Sequence, residues 1–144
     1  MTIKHAAANY KRLLPFIRAV DATPDNYSRF ESPGYMPLFI ENLGYTFGGS
    51  PVYSMMHFYV QCGDLMRDPD MTFAVLHGPG EIIPLSFEQS APPIYQEVYE
   101  DGKNGCNSAL LRHLDEFLSE WSKNILAQGF DPNQSERVNA AESF

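Results

Sequence analysis

His57, Asp64, Asp68 and Asp70 stand within one short stretch, and their types are those that hold a hard cation. Carboxylates supply oxygen ligands and an imidazole can add a nitrogen. Gly63 permits a tight turn after an apolar run, and Asp68-Pro69-Asp70 reads as a second turn. Together these turns would bring the three acids to a strand end that carries His57. The spacing is not that of a calcium loop, which places acids at every second residue with glycine at the sixth. A plainer reading carries more weight: Asp64 and Asp68 accept from backbone donors in their own turns. No metal is assigned from the pattern, and no cofactor is expected.

Nucleophilic chemistry has less to offer. Cys62 lies five positions after His57, so in a strand the two side chains would leave on opposite faces. No acid is placed to orient the imidazole. The chain has no phosphate-cradling loop, no zinc pair on a helix and no serine elbow between glycines. A non-enzymatic role is therefore favoured. Tyr35, Phe39, Tyr45, Phe47 and Tyr53 could line a groove, although core and sheet packing is the commoner use of such residues. Tyr35 and Glu41 complete the candidate binding residues, with His57, Asp64, Asp68 and Asp70.

These residues need elements to position them. Tyr10, Leu13, Leu14, Ile17 and Val20 recur at helical spacing. Pro15 interrupts the pattern, which predicts a helix over residues 3–14 and a kink or irregular turn beyond. Strands are predicted over 27–31, 36–41, 52–61, 71–76, 82–87 and 94–99. Segment 52–61 is apolar on both faces and belongs in the centre of a sheet. Pro84 pushes its strand towards an edge. Leu111, Leu114, Leu118, Trp121 and Ile125 form the stripe of a C-terminal helix, with Asn107 or Ser108 as its cap and Gly129 as its stop. The fold expected is α+β: a mostly antiparallel sheet of five or six strands with an N-terminal and a C-terminal helix packed on it. Residues 1–130 would form one domain, and 131–144 a polar tail.

A chain of 144 residues with 44% hydrophobic residues can bury an ordinary core. Two cysteines make no disulfide framework, so free thiols in a reducing compartment are expected. The first ten residues carry no apolar leader and no window is long enough to span a membrane, so a cytoplasmic location is expected. The charge of -8 is unevenly spread. Residues 1–20 hold Lys4, Lys11, Arg12 and Arg18 and no acid, whereas the rest holds six bases against eighteen acids. An acidic body repels nucleic acid and suits either solubility or a basic partner.

The segments Gly34-Tyr35-Met36-Pro37-Leu38-Phe39-Ile40-Glu41 and His57-Phe58-Tyr59-Val60-Gln61-Cys62-Gly63-Asp64-Leu65-Met66, followed by Asp68-Pro69-Asp70-Met71-Thr72-Phe73, resemble an uncharacterised bacterial family known only as a domain of unknown function. The helix text around Trp121 and Gln128-Gly129-Phe130 is similar to that family's C-terminal helix. The resemblance covers most of residues 10–130. It implies a setting in plasmids, prophages and integrative elements, and no activity. The function expected is that of a small accessory factor acting through a protein partner. One alternative is an acidic inhibitor of a host defence nuclease, of anti-CRISPR or antirestriction type, with a basic nuclease complex as partner. The other is a metal-assisted hydrolase. The sequence leaves the oligomeric state open.

Overall fold

In a computed structural model, residues 3–99 and 105–134 are described, with the side chains of Val60, Gln61, Asp64, Leu65 and Arg67 left aside. Helix α1 (Ala6–Asp21) leads into six strands, β1 (Tyr27–Phe30), β2 (Leu38–Phe47), β3 (Ser50–Gln61), β4 (Asp64–Leu76), β5 (Glu81–Ser90) and β6 (Pro93–Glu97). Helix α2 (Ser108–Ala127) and a short 3-10 turn (Pro132–Gln134) follow. The strands pair in sequence order, each antiparallel to the next, so the sheet is a simple meander with the apolar β3 inside it. This is the α+β arrangement expected.

Both helices bury their apolar stripes against one sheet face. Leu13, Phe16, Ile17 and Val20 of α1 and Leu111, Leu114, Leu118 and Ile125 of α2 share one core with Leu38, Ile40, Tyr53, Met55, Met71 and Phe73. Side chains alternate along a strand, so the residues between these point the other way. There Phe39, Met56 and Phe58 form a separate small cluster with Tyr27.

A polar seam joins the two helices. The α1 N-terminus has no side-chain cap of its own. Instead the His5 backbone N–H donates to Asp115 Oδ2 of α2 at 2.9 Å. Further along, Arg12 donates to Asn9 Oδ1 at 3.2 Å and to Ser122 Oγ at 3.3 Å. The α2 N-terminus is capped locally, with Asn107 Oδ1 accepting from Leu110 N–H at 3.0 Å. Its other end stops at Gly129, whose φ of +88° lets the Phe130 N–H turn back to the Ile125 carbonyl at 3.3 Å.

Three expectations are corrected. α1 runs unbroken through Pro15 to Asp21. Pro15 is exposed, so the hydrogen bond it removes lies on the wet side, while Phe16, Ile17 and Val20 anchor the last turns in the core. Asp68-Pro69-Asp70 is no turn but lies within β4. There Met56 pairs with Asp70 and Phe58 with Arg67, so two β4 residues oppose His57 alone, a β-bulge. Pro84 does not mark an edge either: β5 pairs with β4 and β6, and Pro84 adjoins a second bulge, which accommodates proline.

Candidate functional site

The bulge in β4 decides which sequence candidates meet. It sets Asp68 and Pro69 opposite His57 on the helix side of the sheet. There Asp68, His57, Phe117, Glu120, Trp121 and Asn124 line a cleft of ≈ 340 Å³ between the sheet and α2. The His57 ring lies 5.6 Å from the Trp121 ring and 5.7 Å from that of Phe130. His57 Nδ1 is 3.2 Å from the Pro37 carbonyl. A carbonyl only accepts, so Nδ1 carries the proton and Nε2 is the acceptor of the neutral ring. Burial pushes the imidazole below its ordinary pKa, against the opposing pull of the Pro37 carbonyl and the Asp68 charge. Tyr35 is exposed and packs its ring 6.5 Å from Phe130.

Glu41 and Asp70 lie elsewhere, on the face without a helix. The register there forms complete rows, one residue from each of six strands. One row runs Tyr27, Glu41, Ser54, Thr72, Ser86 and Glu97. The next runs Arg29, Phe39, Met56, Asp70, Glu88 and Tyr95. The first is a line of hydroxyls ending near Glu41 and at Glu97, and Thr72 Oγ1 and Ser86 Oγ share a hydrogen bond of 2.5 Å. Glu41, Asp70, Ser54 and Thr72 also line a shallow pocket of ≈ 260 Å³ over Phe39 and Met56. Burial raises the Glu41 carboxyl above the usual carboxylate range. The Tyr95 hydroxyl donates to Glu97 Oε1 at 2.5 Å, and this bond, with burial and the nearby acids, pushes its pKa up to about 12.

Arg29 is the one base in the two rows. It pairs with Glu31 at 2.6 Å and lies 5.6 Å from the centre of the Phe58 ring. The acids of the two rows are Glu41, Asp70, Glu88 and Glu97. Sequence reasoning found Glu41 and Asp70 but missed Glu88 and their shared surface. Alternation within each strand was visible, but the register that aligns the strands was not.

The candidates thus divide into two places. His57 and Asp68 share the helix-side cleft, with Tyr35 packed near it on Phe130, whereas Glu41 and Asp70 share the opposite face. The Asp64 side chain lies outside the described residues. Among the described residues, no three of His, Cys, Asp and Glu are grouped so as to hold a metal ion. Cys62 is exposed at the β3–β4 turn.

The fold and these surfaces define a two-helix α+β protein in which acids and hydroxyls line up across the sheet face opposite the helices. Residues 8–131 match the family model of the domain of unknown function DUF6908, and the chain belongs to that family. No curated protein and no solved structure matches it. Among the described residues, no helix is long and apolar enough to cross a membrane.

Proposed function

We propose that this protein is a non-enzymatic binding factor that docks a basic protein partner on its helix-free sheet face. The two cross-sheet rows carry this reading. Adjacent strands are about 4.8 Å apart, so the row from Glu41 on β2 to Glu97 on β6 covers about 19 Å. Such a row matches an extended basic segment or a basic strand edge better than a small substrate. Asp70 and Glu88 are register partners. The hydroxyls of Ser54, Thr72 and Ser86 supply both donors and acceptors for a partner's polar groups. Phe39 and Met56 give the surface an apolar floor.

The setting that goes with this reading is a bacterial or phage cytoplasm, with the gene carried on a mobile element. The family resemblance supports it. A sharper version is inhibition of a defence nuclease by occupying its basic nucleic-acid channel. The gathering of acids on one surface favours it, because evenly scattered acids would not mimic a phosphate track.

Affinity purification from a bacterial lysate at low and high salt tests the proposal, comparing wild type with a Glu41→Gln, Glu88→Gln, Glu97→Gln triple variant. A basic protein captured by the wild type, weakened at high salt and lost from the folded variant is the expected result. Equal capture by the variant would contradict it. If nucleic acid displaces the protein from its partner, the partner is a nucleic-acid-binding protein, as the inhibitor version requires.

A further inference from the structure

The cleft between the sheet and α2 is separate from the proposed docking face. His57, Phe117 and Trp121 give it aromatic walls, and Asp68 and Glu120 contribute its carboxylates. Its ≈ 340 Å³ lies at the lower end of the range for small-ligand pockets, about 300–1,000 Å³. Both acids lie at the surface: Asp68 is exposed, and exposed Glu120 pairs with exposed Lys123 at 3.6 Å. Such a pair yields readily to a competing cation. Trp121 is 6% exposed, and its Nε1 is buried without an acceptor among the described residues. A buried indole N–H is costly to leave unpaired. Asn124 adds an amide to the lining.

We infer that this cleft binds a guanidinium or alkylammonium group, with an acceptor oxygen a few atoms away to take the Trp121 indole N–H. Aromatic faces attract cations, and best when water is excluded. The two carboxylates supply charge-assisted hydrogen bonds to the same head group. The buried imidazole does not oppose the cation, because its Nδ1–H is committed to Pro37 and the neutral ring adds no charge. The ligand chemistry is shared by an arginine or lysine side chain of a protein and by a free amine.

Trp121 is the sole tryptophan, so its fluorescence and its single indole N–H resonance report on the cleft alone. The test titrates the intact protein with Nα-acetyl-arginine amide, with agmatine, and with the uncharged Nα-acetyl-citrulline amide. Saturable shifts with the two cations and none with citrulline are expected. Asp68→Asn and Glu120→Gln, both at exposed positions, should each weaken binding by about fivefold while leaving the melting curve unchanged. Tighter binding of the capped arginine assigns the site to a protein side chain, and tighter binding of agmatine assigns it to a small amine. Equal response to citrulline, no saturable response to any probe, or unchanged affinity in both variants would overturn the inference. The triple variant of the sheet face should bind these probes as the wild type does, so the two proposals fail separately.

Discussion

His57 illustrates how one residue type can be read in two ways. From its type and neighbours it is a possible nitrogen ligand, whereas the structure places it as a buried ring between Pro37, Trp121 and Phe130. Its pKa is lowered, so on acidification the unfolded chain takes up the proton first. Stability is therefore lost as pH falls below about 6.5 towards the folded-state value. His57→Gln should melt with a shallower fall in Tm between about pH 7 and pH 5, and parallel curves would contradict this. Cys62 makes a different point. Its φ of +53°, beside Gly63 at +81°, fits a two-residue turn that asparagine suits better than cysteine. Cys62→Asn should raise stability by up to about 1 kcal/mol in denaturant unfolding. The residue types of the candidate sites were legible in sequence. Their division between two faces was not, because it depends on the bulge opposite His57.

At the scale of elements, both helices and all six strands were legible from periodicity, and their ends less so. Glycine and proline misled where tertiary structure absorbed them. Pro15 was read as a break and Pro84 as an edge signal, yet one faces solvent inside a helix and the other sits beside a bulge. The predicted strand over 36–41 was too short: β2 continues past Gly44 to Phe47 with an irregularity between Asn42 and Thr46. The capping of α1 was beyond local reasoning, since Asp115 stands more than a hundred residues from His5. Burial raises the Asp115 carboxyl above its ordinary range, and the His5 N–H pulls the other way. Asp115→Ala leaves that N–H without its acceptor and should cost about 1–3 kcal/mol. Hydrogen exchange should show the loss first in the opening turn of α1. Uniform destabilisation with an unchanged first turn would show that Asp115 does not act as the cap.

At the scale of the molecule, the uneven charge of the sequence becomes a spatial arrangement. α1 carries the exposed bases Lys11 and Arg18 on the helix side, while Glu41, Asp70, Glu88 and Glu97 collect on the opposite face of the sheet. For the basic partner proposed above, such an arrangement would orient the approach before contact and make the encounter rate sensitive to salt. The acidic excess was plain in the composition. That four of these acids share one surface follows from the strand register of a meander whose two helices both take the same side. The most direct measurement is carboxyl footprinting of the protein alone and with its captured partner, read by mass spectrometry. Glu41, Glu88 and Glu97 should be protected in the complex, while Asp25 and Glu116 label as before. Protection of Asp25 or Glu116 with unchanged labelling of the three sheet-face acids would contradict the assignment of this face as the docking surface.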